Sequence, residues 1–411
     1  MKRYGLIGAK LGHSFSKDIH GRIADYKYDL IELTSQGLKD FMTEKDFDAV
    51  NITLPYKQEV IPYLDELSLE AKAIGAVNCV RNDNGRLVGH NTDFDGLREL
   101  INYLGINLKD KWVLILGTGG TSDTANAVCR TLGANRVIKV SRTGKDGSIT
   151  YDEAIQNAKG AEVIINTTPC GMYPNNYSLP IDLDYFPNLE GVIDVVYNPL
   201  RTQLVSKALS KGIKAQGGLY MLVGQAVKAS EFFLQTTYSD ELTESIYKEL
   251  LKEKQNIVLT GMPASGKSTI GKRLAETLGR EFIDTDHLIE KKAKMPIKKI
   301  FESHGEKHFR NLEAEAIRTA SKECGVVIAT GGGAILRDEN IKALKQNGKL
   351  FFIDRKIEKL IPTSSRPTAS SKELIKKRYE ERYDIYVDTA DVVISNNEDI
   401  GLAVEQILEE F

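Results

Sequence analysis

Short apolar runs alternate with longer segments of helical spacing along the whole chain. Such runs, bounded by polar or glycine-containing turns, indicate buried strands. Their regular alternation with helices is typical of α/β domains with parallel sheets. The strands are predicted near Tyr4–Gly8, Ala49–Thr53, Val113–Leu116, Arg136–Val140, Val163–Asn166, Gly191–Val195, Ile257–Thr260, Glu281–Ile283, Val326–Ala329, Leu350–Ile353 and Val392–Ser395.

Two loops suited to phosphate each follow an apolar strand and precede a helix. Residues 117–120 read Gly-Thr-Gly-Gly and resemble the turn that approaches a dinucleotide pyrophosphate, although Ser122 stands at the third glycine place. Residues 261–268 fit GxxxxGKS, whose backbone N–H groups wrap a triphosphate while the Lys contacts the outer phosphates and the Ser holds Mg²⁺. A dinucleotide site and a triphosphate site in one chain predict a fusion of two enzymes.

The chain of 411 residues is longer than one hydrophobic core usually supports. We predict an N-terminal α/β substrate domain at 1–96 and 217–253, a Rossmann-like dinucleotide domain at 97–216, and a P-loop domain with a parallel sheet at 254–411. Apolar residues at helical spacing between Tyr238 and Lys254 predict a terminal helix packed on the first half. Lys254 and Gln255 would then form the joint to the second half.

The composition gives no reason to expect a macromolecular partner. A net charge of −2 does not favour nucleic acid or an anionic membrane, and no stretch approaches the ~18 continuous apolar residues of a membrane span. The N-terminus leads straight into a strand-like run without a long apolar signal region. The scattered Cys79, Cys129, Cys170 and Cys324 are expected to be free thiols. We therefore expect a cytoplasmic protein with small-molecule substrates and leave homo-oligomerisation open.

Polar side chains follow or interrupt the first strands. Ser14 and Ser16 stand at alternate positions, as do Asn51 and Thr53, so each pair can face one way in an extended segment. Lys57 comes just after a proline that ends the second of these strands and can turn back over it. These side chains suit a polyhydroxylated acid.

Two further polar groups come next, Asn78 in the segment GAVN and Asp93 at the start of a predicted helix. Asp93 could simply cap that helix. Taken singly, each of these residues is better explained as a cap, a turn or a surface group than as a catalyst.

Taken together, the polar segments match a family. Residues 1 to about 250 resemble shikimate dehydrogenase through GHSFSK, NITLPYK, GAVN, GHNTD, LGTGG, NTTPCGM, DVVYNP and GLYMLVGQA, in the family's order. The resemblance implies NADPH-dependent reduction of 3-dehydroshikimate to shikimate, with Lys57 and Asp93 as the catalytic pair. An ammonium group can stabilise the developing alkoxide and supply its proton. The implied substrate-binding residues are Ser14, Ser16, Asn51, Thr53, Asn78, Asp93, Tyr197 and Gln225.

The choice of dinucleotide depends on the strand after the first glycine turn. Arg142 ends this strand where an NAD site usually has Asp or Glu, and Lys145 is close by, which favours NADP over NAD. A solvated turn arginine is the alternative. Asp123 and Asp146 stand where the family often has basic residues, which bears on the strength of the preference. The implied cofactor-binding residues are Gly117, Thr118, Gly119, Gly120, Thr121, Ser141, Arg142, Thr143, Lys145, Gly218 and Met221.

From about Lys254 to Phe411 the chain resembles shikimate kinase. Besides the GxxxxGKS loop, the matching segments are DTD at 284–286, HFRNLE at 308–313, ATGGG at 329–333 and RYDIY at 382–386. Asp284 and Asp286 alternate along the predicted strand, so both could face the phosphates. The resemblance implies a water-mediated Mg²⁺ role for Asp284, while Asp286 would bind and deprotonate the acceptor hydroxyl.

The same resemblance assigns the remaining roles in this half. Glu313 would steady Arg310, unless it is an ordinary acid on the helix surface. The polar segment around Arg366 resembles a lid over ATP, although Thr368 and Ala369 replace the family's apolar pair, and Lys359 stands near a position that is usually Arg. The implied catalytic residues are Asp286, Lys267 and Arg366. The implied substrate-binding residues are Asp286, Arg310, Gly332 and Arg382; the nucleotide-binding residues are Gly261, Ala264, Ser265, Gly266, Lys267, Ser268, Thr269 and Arg366; the Mg²⁺ residues are Ser268 and Asp284.

The leading hypothesis is therefore a bifunctional enzyme that makes shikimate and then shikimate 3-phosphate, using NADP(H), ATP and Mg²⁺. A quinate/shikimate dehydrogenase joined to a kinase for another small polyol acid is an alternative, against which the two serines count. A metabolite sensor built from inactive domains is a third, but it would need neither a proton donor such as Lys57 nor a P-loop lysine.

Overall fold

A computed structural model describes residues 3–11, 15–362 and 371–411 of the chain. The protein divides into two compact units, Met1–Glu249 and Leu250–Phe411. This division falls within the helix Glu241–Lys254, a few residues before the joint expected from the sequence. The domain limits drawn from the sequence stay predictions. No helix in the described ranges is long and apolar enough to cross a membrane.

The first unit begins with a mixed sheet of order β2-β1-β3-β5-β6-β4. Strand β1 pairs in parallel with β2 and β3, and β5 pairs antiparallel with β3 and β6. The elements are β1 (Tyr4–Gly8), α1 (Ser16–Ile23), β2 (Tyr28–Glu32), α2 (Ser35–Glu44), β3 (Ala49–Ile52), β4 (Glu66–Leu67), α3 (Leu69–Ile74), β5 (Cys79–Asp83), β6 (Arg86–His90) and α4 (Thr92–Tyr103).

A second, parallel sheet follows in the same unit, with the order β12-β11-β10-β7-β8-β9. Residues Val113–Leu116 are fully buried, as expected for a central parallel strand covered on both faces. The elements are β7 (Trp112–Leu116), α5 (Gly120–Thr131), β8 (Arg136–Ser141), β9 (Ile149–Thr150), α6 (Tyr151–Asn157), β10 (Val163–Asn166), β11 (Gly191–Asp194), α7 (Gln203–Ser210) and β12 (Lys214–Gln216).

Two helices, α8 (Leu219–Leu234) and α9 (Glu241–Lys254), follow this sheet. The first part of α9 belongs to the first unit. Its Tyr247 packs edge-on against Tyr220 and accepts a hydrogen bond from Gln216 Nε2 at 2.5 Å. The terminal helix predicted from the sequence is therefore present.

The second unit has a parallel five-stranded sheet of order β14-β15-β13-β16-β17. The chain order reverses at β13, as it does at β7 in the preceding sheet, and ligand sites of α/β folds lie at such points. The elements are β13 (Asn256–Thr260), α10 (Lys267–Leu278), β14 (Phe282–Asp284), α11 (Thr285–Ala293), α12 (Ile297–Ala320, kinked at Gly305), β15 (Val327–Ala329), α13 (Asp338–Asn347), β16 (Gly348–Asp354), α14 (Lys372–Thr389), β17 (Val392–Ser395) and α15 (Ile400–Glu410).

Each predicted strand is present to within about a residue or two at its ends, the usual uncertainty of strand and helix limits. The prediction of an α/β protein with parallel sheets in both halves is confirmed.

Candidate active sites

The first unit holds a cleft of about 510 Å³ between the carboxyl ends of its strands and the helices α4 and α8. It brings together residues that are far apart in the sequence. Ser14, one of the predicted substrate-binding residues, lies outside the described residues. The predicted residues that line the cleft are Ser16, Asn51, Thr53, Lys57, Asn78, Asp93, Thr121, Tyr197, Gly218, Met221 and Gln225.

Lys57 and Asp93 form an ion pair in this cleft, with Lys57 Nζ donating to Asp93 Oδ2 at 2.5 Å. Lys57 reaches the cleft from the turn after β3. Asp93 lies in the first turn of α4, whose N-cap is Asn91, since the Asn91 side chain accepts a hydrogen bond from the Asp93 backbone N–H. Asp93 is thus not the cap. Both charged side chains are about one-fifth to one-quarter exposed, at 26% and 18%.

A buried layer of amides lies behind the ion pair. Asn51 Nδ2 donates to the Asn78 carbonyl oxygen at 3.2 Å, and Asn51 Oδ1 accepts from the Tyr28 hydroxyl at 2.7 Å. Asn78 Oδ1 accepts from the Thr92 backbone N–H at 2.7 Å. Asn51 and Asn78 are at most 5% exposed, so their positions are fixed by these bonds as well as by packing.

The first glycine turn follows β7. Gly117 has φ 113°, and a Cβ there would come within 2.7 Å of Thr167 Oγ1, so only glycine fits. Around Gly119 and Gly120, by contrast, a Cβ would meet no described atom within 4 Å. Helix α5 starts at Gly120, so its first N–H groups and its dipole suit a pyrophosphate at this place.

The residues predicted to bind the ribose 2′-phosphate of the cofactor lie at the end of the neighbouring strand β8. Ser141 Oγ accepts from the Gly144 backbone N–H at 3.0 Å and bonds Ser148 Oγ at 2.7 Å, which shapes a turn with Arg142 and Lys145 exposed. Exposed guanidinium and ammonium groups can meet a 2′-phosphate. Asp123 of α5 stands where the family often has a basic residue. It is ion-paired with Lys139 of β8 at 2.5 Å, so its charge is balanced.

Asp194, the last residue of β11, is buried just before the cleft-lining Val195 and Tyr197. It accepts from Thr202 Oγ1 at 2.7 Å and from Asn166 Nδ2 at 2.9 Å. Burial raises the pKa of Asp194 to about 6 in spite of these donors.

In the second unit the P-loop lies between β13 and α10. Lys267 is 6% exposed, and its Nζ donates to the carbonyl oxygens of Gly261 and Met262, both at 2.9 Å. Ser268 Oγ donates to Asp284 Oδ2 at 2.8 Å. Ala264 has φ 65°, a left-handed conformation at the loop apex. Ser265, Gly266 and Thr269 complete the turn into α10.

Asp284 and Asp286 do not alternate along a strand, so the geometric argument from the sequence was wrong. Asp284 ends β14 and caps α11, where its Oδ1 accepts from the Asp286 backbone N–H at 3.0 Å. Asp286 lies in the first turn of α11. Both still line one pocket of about 50 Å³ with Lys267 and Ser268, because the strand end and the helix start face the P-loop together.

Arg310 of α12 enters this pocket beside the triple-glycine segment. Its Nη1 donates to Glu313 Oε2 at 2.8 Å, and a Cβ on Gly333 would lie 2.1 Å from the same nitrogen. Glu313 is 1% exposed and so is not a surface acid; burial raises its pKa. Among described atoms, Glu313 Oε1 has no hydrogen-bond partner.

Gly332, which also lines this pocket, is held through its carbonyl oxygen. That oxygen accepts from Arg382 Nη1 at 2.8 Å and from the Tyr386 hydroxyl at 2.5 Å. Arg382 is 2% exposed, and within the described ranges its Nη2 lacks a partner. Arg366, the predicted lid residue, lies outside the described residues.

Oxygen groups suited to Mg²⁺ are present at the P-loop. The Ser268 hydroxyl and the Asp284 carboxylate are adjacent, which fits a cation that keeps most of its water ligands and takes one or two protein oxygens. In the described part of the chain no group of three or more His, Cys, Asp or Glu could hold a metal ion. The four cysteines are free, as predicted, and burial raises the pKa of the thiols of Cys79, Cys129 and Cys170.

Several residues of these sites were not found from the sequence. Lys10 and Phe15 line the cleft; Phe15 lies within the recognised segment GHSFSK, and Lys10 lies two residues before it. Asn396 Nδ2 donates to the Ser265 carbonyl oxygen of the P-loop at 2.7 Å. A pair of asparagines just after a strand was a signal that could have drawn attention to it. Tyr28 carried no such signal, because an aromatic residue in a strand is usually core.

Comparisons with known proteins match both halves of the chain. Residues 6–80 match the family model of the shikimate dehydrogenase substrate binding domain, and residues 263–411 match that of shikimate kinase. A shikimate dehydrogenase (NADP(+)) of Clostridium beijerinckii is 36% identical over 263 residues, covering 60% of this chain and 97% of the relative. One of Methanosphaera stadtmanae is 34% identical over 278 residues, covering 61% and 96%.

Solved structures agree over the same part of the chain. Shikimate dehydrogenase 1 of Peptoclostridium difficile is 34% identical with a TM-score of 0.55, covering 61% of this chain and 98% of its own. A chorismate mutase/shikimate 5-dehydrogenase fusion protein of Clostridium acetobutylicum is 32% identical with a TM-score of 0.57, covering 61% and 97%. Shikimate 5-dehydrogenase of Thermus thermophilus, in complex with NADP(H) and shikimate, is 29% identical with a TM-score of 0.55, covering 61% and 99%.

Proposed function

The chain belongs to the shikimate dehydrogenase family and carries a shikimate kinase domain after it. On this premise we propose a bifunctional enzyme for two consecutive reactions. The first unit reduces 3-dehydroshikimate to shikimate with NADPH. The second unit phosphorylates shikimate with ATP to give shikimate 3-phosphate. We further propose that it acts in the cytoplasm.

In the proposed dehydrogenase reaction, Lys57 stabilises the oxygen of the reacting carbonyl and gives it a proton. Asp93 holds the ammonium group through the 2.5 Å ion pair and can accept a hydrogen bond from the neighbouring substrate hydroxyl. Asn51 and Asn78 offer amide groups to the other hydroxyls, while Ser16, Tyr197 and further polar groups of the cleft bind the acid.

The cofactor of this reaction is proposed to be NADP(H), which supplies or accepts the hydride. The glycine turn and the start of α5 suit its pyrophosphate, and the exposed Arg142 and Lys145 suit its 2′-phosphate. Gly218 and Met221 also line the cleft, and they would contact the nicotinamide end of the cofactor.

In the proposed kinase reaction, Asp286 accepts the proton of the attacking hydroxyl. Lys267 and the P-loop N–H groups hold the phosphates, and Ser268 with Asp284 would hold Mg²⁺, which supplies charge neutralisation. Arg310 and Arg382 suit the substrate carboxylate, because guanidinium groups bind carboxylates in a bidentate way. Arg366 is proposed as the lid arginine on the sequence alone.

The observation that carries the proposal is the Lys57–Asp93 pair within a cleft lined by amides and hydroxyls. That combination suits proton transfer to a hydroxylated ketone. A two-stage assay on the purified chain tests it. Shikimate with NADP⁺ should raise the absorbance of the reduced nicotinamide, with NAD⁺ and quinate as comparisons. Shikimate with ATP and Mg²⁺ should yield ADP, and failure of either stage removes that half of the proposal.

A further inference from the structure

The buried imidazole of His20, which packs among aromatic side chains of the first unit, has no part in the reaction described above. His20 of α1 is fully buried, and its ring stacks on that of Tyr28 with centroids 4.0 Å apart and planes 11° apart. Its Nδ1 lies 2.5 Å from the Tyr26 hydroxyl, and Phe233 of α8 also stacks against it. Among the described residues His20 Nε2 has no hydrogen bond of normal length, although the Asn51 side chain interacts with the imidazole.

Tyr28 connects this group to the cleft. Its side chain is buried, with the residue 3% exposed, and its hydroxyl donates to Oδ1 of the cleft-lining Asn51 at 2.7 Å. The same amide donates from Nδ2 to the Asn78 carbonyl oxygen at 3.2 Å. Both ends of the Asn51 amide are therefore bonded within the protein.

The bond to the Asn78 carbonyl oxygen determines which way the amide faces, and the bond from the Tyr28 hydroxyl holds it in that orientation. Oδ1 only accepts hydrogen bonds and Nδ2 only donates them, whereas a hydroxyl can do both. If the amide were reversed, Oδ1 would oppose the Asn78 carbonyl oxygen, and two acceptors would repel each other. In the observed orientation one hydrogen of Nδ2 remains for a ligand in the cleft.

We propose that Tyr28 is a positioning residue of the dehydrogenase, which holds Asn51 as a hydrogen-bond donor toward a hydroxyl of the substrate. The stacked ring of His20 keeps Tyr28 in place. This inference rests on the proposed dehydrogenase function. Without the Tyr28 hydroxyl, Asn51 Oδ1 would lose its 2.7 Å hydrogen bond in the core, and the amide would be held less firmly in the orientation that the Asn78 carbonyl oxygen sets.

The charge of His20 is consistent with this role. Burial lowers the pKa of His20 to about 3, so the imidazole is uncharged near neutral pH. The contact with Tyr28 is thus a stack of two neutral rings, which needs no counter-ion in the surrounding core.

The first test is Tyr28→Phe, with Tyr26→Phe as its matched control. Both remove one hydroxyl from the same aromatic cluster, but only Tyr28 bonds Asn51. For Tyr28→Phe we expect KM for shikimate to rise about tenfold, with kcat within about threefold and KM for NADP⁺ unchanged. Tyr26→Phe should stay within about twofold. The kinase activity of the same chain should not change in either variant.

Two further variants remove the dependence on how well Tyr28→Phe folds. Asn51→Asp keeps the acceptor for Tyr28 but loses the donor, so it should raise KM for shikimate at least as much. In an Asn51→Ala background, Tyr28→Phe should add nothing, because its effect acts through the amide.

The inference is overturned if Tyr28→Phe leaves KM unchanged in an active enzyme, if Tyr26→Phe raises KM equally, if Asn51→Asp keeps the parent KM, or if the effects of Tyr28→Phe and Asn51→Ala add. A parent chain without dehydrogenase activity on either acid overturns the proposed function itself.

Discussion

The cleft of the first unit measures about 510 Å³, whereas the P-loop pocket of the second encloses about 50 Å³. In the cleft, Lys57 is paired with a carboxylate that belongs to the same proposed chemistry. In the P-loop pocket, Lys267 is bonded to loop carbonyls and Arg310 to Glu313. The lysine and arginine side chains of the two sites therefore differ in which hydrogen bonds they must break when a ligand binds.

This difference predicts different binding behaviour. The side chains of the dehydrogenase cleft can bind the hydroxy acid substrate while keeping most of their hydrogen-bond partners. The site is therefore largely preorganised. In the kinase, phosphate oxygens would compete with the Gly261 and Met262 carbonyls for the Lys267 ammonium group. Part of the nucleotide's binding energy is then used to exchange hydrogen bonds.

The largest effect is expected for Asp286→Asn, which should lower phosphoryl transfer to shikimate by about 10³-fold because the base for the acceptor hydroxyl is lost. ATP should still bind, since Lys267 and the P-loop backbone are unchanged. ADP release and calorimetric ATP binding measure the two separately. Loss of ATP binding would show that Asp286 serves the nucleotide, and dehydrogenase activity is the control.

In the cleft, Lys57→Ala should lower dehydrogenase turnover by at least about 10²-fold, with substrate affinity less affected. The ammonium group is the proton donor, and Asp93 cannot replace it while ionised. Steady-state kinetics in both directions measure this, and Lys39→Ala, an exposed lysine of α2, is the matched control. Turnover within a few-fold of the parent would remove Lys57 from the mechanism.

A smaller effect is expected from separating the halves, since we hypothesise that each is self-sufficient. Fragments 1–253 and 254–411 should keep their own activities near the parent level. A kinase fragment that starts at Leu250 should be more stable than one that starts at Lys254, by about 0.5–1.5 kcal/mol. The reason is that Arg280 donates to the Lys252 carbonyl oxygen at 2.6 Å, which the shorter fragment lacks.

Urea unfolding followed by circular dichroism compares the two kinase fragments. If one half folds but loses most of its activity, and mixing restores it, the halves complete each other. The comparison of two independent sites would then no longer hold.

Sequence patterns predicted the sheets and both glycine loops because those features are local. A buried parallel strand is a continuous apolar run, and a phosphate loop needs glycines at fixed spacing. The partners of individual side chains were harder to predict. Asp286 was predicted on a strand, whereas β14 ends at Asp284 and α11 begins at the next residue. Nothing in the sequence around Glu313 indicated that its side chain is buried. Both depend on packing between elements distant in sequence.

Asp194 and His20, two of the buried titratable groups of the first unit, exchange protons with the solvent in opposite directions when the unit folds. The stability linked to Asp194 is full below its ordinary pKa of 3.8 and is lost as the pH rises through its raised pKa of about 6. The stability linked to His20 is full above its ordinary pKa of 6.5 and is lost as the pH falls toward its lowered pKa of about 3.

Between pH 3.8 and about 6, unfolding therefore releases a proton from Asp194 and takes one up at His20. The contributions of these two groups to the pH dependence of stability therefore oppose each other across that window. Asp194→Asn removes the contribution of Asp194 and leaves that of His20. The free energy of unfolding would then fall by about 1.4 kcal/mol per pH unit on acidification across that window. Fluorescence of Trp112, the chain's single tryptophan, follows this unit during urea unfolding. A variant whose stability has the same pH dependence as that of the parent would mean that the two titrations do not oppose each other.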